Sequence, residues 1–444
     1  MADFSDRERF IPVDKAELVD RLLRSHVVAP EERENYFLFS KLLDSYYHFE
    51  FHAKTEKLKQ NYLPLNPDSS TVTTHNFSPE ECKAHENQLM VAFKEVLNQA
   101  NYQQITEKDL TYAVNRESLL KINLFVDFDD FENQLVFGRG SQTHKIRRKK
   151  GLFKEETIDI AVYNRVALII KYKDSTYFEN RDRKKINFNP GTMTVKLFKN
   201  IPKGDLEMLF PNAQVRMKLK DKLLMGGIAV GGGTMVVLKA SAGLIAMASV
   251  LWLMTRSIIA SGGEIPALGP LEISGMVGGM TALAAIGLFL FKQWNGYKNR
   301  KIRFMKALGD NLYFKNLDNN AGVFYHIIAD AEEEEFKEAL LGYLFLLKTA
   351  AGLTASALDD AIEDWFKKTY DTPINFEIAD ALAKLKRLGL CSIAGSDPDG
   401  KPLWRALSLT DACGRLDQLW DNFFQVHVPD ADDVVATPSN RNFQ

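Results

Sequence analysis

From Leu223 to Phe291 the chain carries one long apolar run, bordered on both sides by basic sequence. Residues 273–291 hold no charged side chain, and residues 223–255 hold one, Lys239. A hydrocarbon core about 30 Å thick needs roughly 20 mostly apolar residues in helix. The run therefore predicts two crossings, over about 234–255 and 273–291. A short turn with Gly262, Gly263, Pro266 and Pro270 joins them. The competing reading is a helical hairpin buried in a soluble domain. Core helices of soluble proteins usually keep a polar stripe, and residues 273–291 show none. The flanks also differ in charge. Arg216, Lys218, Lys220 and Lys222 precede the run, and Lys292, Lys298, Arg300, Lys301 and Arg303 follow it. The turn between offers Arg256 against Glu264 and Glu272. Basic residues close to a span stay on the cytoplasmic side. Both flanks, and with them both termini, are expected in the cytoplasm.

Within the run, Gly227 and Gly231, and again Gly275 and Gly279, place small residues one helical turn apart. Such pairs let helix backbones approach closely in lipid, either between the two spans or between copies of the chain. Gly231, Gly232, Gly233 and Thr234 resemble a phosphate loop, but the Lys-Ser/Thr ending of that motif is missing. Lys239 is expected to snorkel to headgroups or to mark the start of the first span.

Charge and cysteine usage narrow the classes further. A net charge of −2 gives no overall field that would draw nucleic acid. The three cysteines, Cys82, Cys391 and Cys413, lie far apart, which fits a reducing compartment and supplies neither a disulfide framework nor a close ligand pair. The first residues contain no apolar leader, so insertion is expected to rely on the internal spans.

Four regions follow: residues 1–115 helical, 116–215 β-rich, 216–305 the transmembrane hairpin, and 306–444 helical again. The first region reads as three helices. Asp14 caps the first, an aromatic-rich helix over 36–58 is the second, and Ser78-Pro79 opens the third. His48 and His52 stand one turn apart, but the sequence offers no third ligand, and neither metal nor cofactor is expected. From Lys121 the period changes to 2, predicting strands over 121–128, 134–138, 157–162, 166–172 and 192–198. Asn164 is expected to turn the chain between two of them. The antiparallel sheet should be covered on one side by the preceding helices.

The basic stretch Lys145, Arg147, Arg148, Lys149 and Lys150 is read as a loop. It is either a solvated hairpin tip or a surface for anionic headgroups. Arg181, Arg183, Lys184 and Lys185 form a second basic cluster. Residues 316–320 read as a turn, and a helix from His326 to Leu347 should carry Glu332–Glu335 on a solvated face near its start. Two helices over 357–369 and 376–388, with Gly389 as C-cap, lead to a hairpin turning at 397–400. Helix, helix and hairpin give a winged-helix-like end. Its second helix carries charges too mixed for DNA.

Three stretches together resemble a known family. They are Arg9-Phe10-Ile11-Pro12, Leu197-Phe198-Lys199-Asn200-Ile201-Pro202 running into Asp205-Leu206-Glu207-Met208-Leu209, and residues 312–320. They look like signatures of the transmembrane protein 143 family, whose shared region is the domain of unknown function 3754. The resemblance covers roughly residues 9–347 and implies a two-span membrane protein of bacteria and organelles. It implies no activity and no catalytic residues. The acidic N-terminus departs from an organelle-targeted member and favours a bacterial inner membrane.

The expected fold is thus an α+β membrane protein: a helical and antiparallel β-rich soluble region, a two-helix transmembrane hairpin, and a C-terminal helical module. The expected function is a membrane-anchored interaction or assembly protein with both soluble parts on the cytoplasmic face. Its expected partners are the bilayer, anionic headgroups, other proteins or further copies of itself. Two alternatives stay open. One is an enzyme acting on a lipid or membrane-proximal substrate, for which Asp127, Asp129, Asp130 and His326 are the polar candidates. The other is an oligomeric channel using the glycine faces.

Overall fold

The computed structural model describes residues 9–25, 27–69, 74–106, 123–149, 155–181, 186–216, 219–260 and 269–423. Three helices open the chain. Helix α1 (Lys15–Arg24) is capped by Asp14, whose carboxylate accepts the amides of Ala16 and Glu17. Helix α2 (Arg33–Tyr62) buries Tyr36, Phe39, Leu43, Tyr47, Phe51, Leu58 and Tyr62, a stripe at three- and four-residue spacing. Helix α3 (Pro79–Gln99) begins with a reciprocal capping box between Ser78 and Glu81.

The sheet follows. Its strands are β1 (Gln103–Ile105), β2 (Asn123–Phe125), β3 (Phe131–Lys149) and β4 (Glu155–Tyr172). A short helix α4 (Ser175–Asn180) leads to β5 (Met193–Pro202) and β6 (Gln214–Arg216). Then come two very long helices, α5 (Leu219–Ala260) and α6 (Pro270–Lys315). Helix α6 runs straight into β7 (Asn316–Asn319), and helix α7 (Ala321–Leu347) follows. The last part consists of α8 (Ala355–Tyr370), α9 (Ile378–Leu388), the hairpin β8 (Cys391–Ser396) with β9 (Pro402–Ala406), and α10 (Leu409–Asp421).

Strands β1, β3, β4, β5 and β7 form one antiparallel sheet in the order β1-β3-β4-β5-β7. Both of its faces are covered, not one. Phe137, Ala167, Ile169, Val195 and Leu197 pack against the helices, chiefly α2, α3 and α7. On the other face Val136, Val166, Leu168, Ile170 and Phe198 meet Leu206, Met208, Leu209 and Phe210 from the 3-10 segment Lys203–Leu209 and its end. Double coverage explains why β4 reads Val-Ala-Leu-Ile-Ile without alternation over 166–170.

Two expected turns are strands. Asn164 lies inside β4, and residues 316–319 pair with β5. Asn164 does mark a break in regularity. It sits between Gly140 on β3 and Asn200 on β5, since the ladders pair Arg139 with Arg165 and Arg165 with Lys199, then Ser141 with Tyr163 and Tyr163 with Ile201. Gly140 and Asn200 both adopt left-handed backbone, φ 69° and 54°. A Cβ on Gly140 would stand 2.6 Å from the Asn164 amide nitrogen. The kink thus crosses three strands, and local sequence shows it as a single turn-forming residue.

Asn320 joins the sheet to the helices. Its amide donates to the Val195 carbonyl at 2.6 Å, and its Oδ1 accepts the Val195 amide at 3.2 Å. The Tyr62 hydroxyl lies 2.9 Å from the same Oδ1, and Nδ2 donates to Asp68. The backbone at Asn320 has φ 52°, which asparagine tolerates better than most residues. Asn320→Gly keeps that conformation and removes the side-chain bonds. It is expected to cost about 2 kcal/mol of unfolding free energy by leaving buried partners unsatisfied, read as a lowered denaturant midpoint.

Candidate functional site

Helices α5 and α6 lie antiparallel and are far longer than the rest. At 1.5 Å per residue their 42 and 46 residues extend about 63 and 69 Å. Two stretches, Ala240–Ala260 and Pro270–Gly296, are long and apolar enough to cross a membrane. Only 6% and 12% of their most apolar windows is buried, whereas the core helix of a soluble hairpin would be mostly covered. Ile245, Trp252, Ile259, Leu271, Val277, Met280 and Leu288 stand exposed along them. The helices touch along a narrow seam of small residues. A Cβ on Gly243 would meet the Gly278 carbonyl oxygen at 2.5 Å. One on Gly275 would meet Val250, and one on Gly279 would meet Met247 at 2.3 Å. Gly227 and Gly231 lie on the first turns of α5, in a stretch whose side-chain surroundings are outside the described part.

Helix α7 holds the largest departure from expectation. Glu334 and Glu335 sit in the middle of a 27-residue helix and are 0% and 2% exposed, so they form no solvated face. Glu334 accepts the Ile11 amide at 2.8 Å and pairs with Lys337 at 2.7 Å and Arg139 at 3.2 Å. Lys337 in turn donates to the carbonyls of Ile11 and Val13. Arg139 also pairs with Asp330 at 2.7 Å and stacks over Phe10. These contacts fasten the Arg9–Val13 segment to both sheet and helix.

One turn further on, Lys384 of α9 meets Glu335 at 3.0 Å, Asp380 at 2.8 Å, and Glu338. Burial raises the Glu338 carboxyl to about 7, a rise that Lys384 only partly opposes. Glu335 is raised for the same reason, and the surrounding carboxylates push Lys384 up despite its burial. Lys384, Glu335 and Glu338 are buried in this cluster, while Asp380 stands half exposed at its edge. Asn101 donates to Glu338 at 2.9 Å, which adds the end of α3 to the cluster. Sequence reasoning missed this hub because its members come from residues 11, 101, 139, 334–338 and 384. The local signal, charged residues inside the apolar helix 336–346, was the one available hint.

Of the polar candidates for catalysis, the three aspartates gather around Arg181 and Asn212, and His326 stands apart from them. Asp127 and Asp129 face Arg181 at 3.7 and 3.4 Å, and the buried Asp130 accepts from Asn212 at 2.9 Å. His326 pairs instead with Asp318 at 3.2 Å, and His48 with Glu332 at 3.2 Å. Among the described residues no group of three or more His, Cys, Asp or Glu could hold a metal ion. The basic stretch is the outer end of strand β3, not a loop. Lys145 is exposed and stands opposite Asp159, and Arg147, Arg148 and Lys149 stand opposite Thr157, Glu156 and Glu155. The side chains of Arg147, Arg148 and Lys149, all of Lys150, and residues Arg183, Lys184 and Lys185 lie outside the described part.

The fold therefore defines a mixed α+β protein with antiparallel sheets and two apolar helices inserted between strands of one body. Residues 163–322 match the family described as Protein of unknown function (DUF3754), so this stretch carries a domain of unknown function. The match begins in β4, includes Asn164 and Asn200 of the kink and both long helices, and ends at the start of α7. No solved structure matches the chain.

Proposed function

We propose that the chain is a membrane-anchored interaction or assembly protein of the transmembrane protein 143 kind. Its α5–α6 hairpin crosses the bilayer twice, and everything else stays on the cytoplasmic face of a bacterial inner membrane. The observation carrying this reading is connectivity. The strand before the hairpin, β6, pairs with β2, and the strand after it, β7, pairs with β5. One hydrophobic core runs from Ile11 to Leu416 and includes residues from both sides of the hairpin. A hairpin that leaves and re-enters one folded body must start and finish on the same side of a membrane. The exposed Lys292, at the end of the second apolar stretch, and Lys298 and Lys306 beyond it are in keeping with cytoplasmic placement.

The C-terminal module supports protein contact over nucleic acid. Helices α8 and α9, the β8–β9 hairpin and α10 follow a winged-helix-like order. Helix α9, however, turns Lys384 into the carboxylate cluster and pairs Arg387 with Glu50 at 2.9 Å. Cations committed internally do not neutralise phosphates.

Alkaline carbonate extraction of cell membranes should leave the protein in the pellet, and release into the supernatant would overturn the reading. A protease site placed at Gly262 should be cut only from outside, whereas one placed in the loop after Asn66 should be protected. Protection of both, or cutting of both, would overturn the two-span arrangement.

A further inference from the structure

The three-strand kink leaves a pocket of about 320 Å³ on the helix-covered face of the sheet, lined by Phe10, Arg139, Gln142, Asn164, Arg165, Asn200 and Asp330. Its charge pattern is unusual. Arg139, Arg165 and Lys199 occupy directly opposed positions on β3, β4 and β5, so three cations share one row across the sheet. Like charges directly opposite each other destabilise a sheet, and such a row needs compensation. Arg139 has it, from Asp330 at 2.7 Å and Glu334 at 3.2 Å. Arg165 gives one Nη to the Asn164 carbonyl at 3.1 Å. Among the described residues neither Arg165 nor Lys199 has a carboxylate within ion-pair distance.

The neighbouring walls add donors. Gln142, Asn164 and Asn200, residues whose side chains carry amide donors, also line the pocket. At the kink the backbone turns left-handed at Asn200 (φ 54°) and at Gly140 (φ 69°). Strand irregularities of this kind are over-represented next to functional sites, where they re-aim side chains. Asp330 is the pocket's carboxylate, but it is engaged by Arg139 and by the Tyr102 hydroxyl at 2.9 Å. An anion would therefore sit on the Arg165 side.

We propose that this pocket binds a tetrahedral oxyanion, the phosphoryl group of a small phosphomonoester. A guanidinium fork matches phosphate geometry. The five N–H donors of a guanidinium, with polar neighbours around it, suit an oxyanion with three free oxygens better than a two-oxygen carboxylate. The volume lies at the small end of ligand pockets, enough for the phosphoryl group and a few further atoms.

The test uses the full chain in detergent micelles at fixed ionic strength. Binding is followed by calorimetry and by the thermal midpoint, with inorganic phosphate, glycerol phosphate, short-chain phosphatidic acid and acetate as probes. Saturable binding of phosphate and glycerol phosphate is expected, with acetate at least about tenfold weaker. Arg165→Gln should weaken binding by about tenfold or more. Asn200→Gly keeps the left-handed backbone and should weaken it by a few-fold with little change in the unliganded midpoint. Phosphatidic acid binding that falls with Arg165→Gln, with no binding of glycerol phosphate, would place the phosphoryl group on a lipid at this same site. Absence of saturable binding by any phosphorylated probe overturns the proposal. So does equal binding by wild type and both variants, or acetate binding as tightly as phosphate.

Discussion

Lys384→Met is expected to destabilise the folded body by about 3–5 kcal/mol, since removing one partner strands the buried charges that remain. Lys384 is the cation that faces Glu335, Glu338 and Asp380, and the first two are 2% exposed. Methionine fills the stem's volume, so lost packing contributes little and lost charge dominates. The measurement is the denaturant midpoint in detergent. A double variant, Lys384→Met with Glu338→Gln, should recover part of the loss, because it removes one of the stranded carboxylates while preserving its bond with Asn101. Equal stability of Lys384→Met and wild type would show that the cluster is solvated.

The same cluster sets a pH dependence whose sign is opposite to ordinary acid denaturation. Burial raises Glu338 to about 7, above the 4.5 of an unperturbed glutamate. Between those values the folded state binds more protons than the unfolded state, so Glu338 makes stability fall as pH rises through that window. Acidifying from about pH 7 toward 5 should therefore stabilise the body, and more steeply in Lys384→Met, where the opposing cation is gone. Glu338→Gln should flatten the slope. A wild-type profile that only falls on acidification over this window would contradict the assignment.

Local features of this fold were legible and distant ones were not. The caps at Asp14, Ser78 and Gly389 act within a few residues of themselves, and each stands where its sequence context placed it. The two apolar helices were equally plain, since length and composition are properties of a contiguous segment. The acidic run at 332–335 was misread because its meaning depends on Arg139, nearly two hundred residues earlier, and on Lys384 some fifty residues later. Asn164 looked like a turn because asparagine in isolation favours one. Its place within a long strand is set by Gly140 and Asn200 on the neighbouring strands. The row of cations across the kink is likewise invisible until register is known, since Arg139, Arg165 and Lys199 show no common spacing pattern in the sequence.

Gly243→Leu is expected to separate helices α5 and α6 and to cost about 3 kcal/mol, the upper range for overpacking a close contact. The contact leaves no room: even a Cβ at Gly243 would lie 2.5 Å from the backbone oxygen of Gly278. A backbone atom cannot swing aside as a side-chain terminus can, so the helices themselves must move. Four positions from Gly243 stand Lys239 and Met247, not glycines, and the small residues Ala240 and Ala246 lie three away. The one-turn spacing that singled out Gly275 and Gly279 therefore passed it over, although it makes the tighter backbone approach. Gly287 supplies the control. It lies further along α6 with nothing within 4 Å of an added Cβ, so Gly287→Leu should leave the hairpin intact. Thermal unfolding and limited proteolysis in detergent read both variants. If small-residue packing holds the two helices of one chain together, Gly243→Leu lowers the midpoint and exposes residues 240–260 to cleavage, while the mass of the detergent complex stays the same. If Gly287→Leu instead changes that mass, the outer glycine face joins copies of the chain, and the hairpin is an assembly surface as well as an anchor.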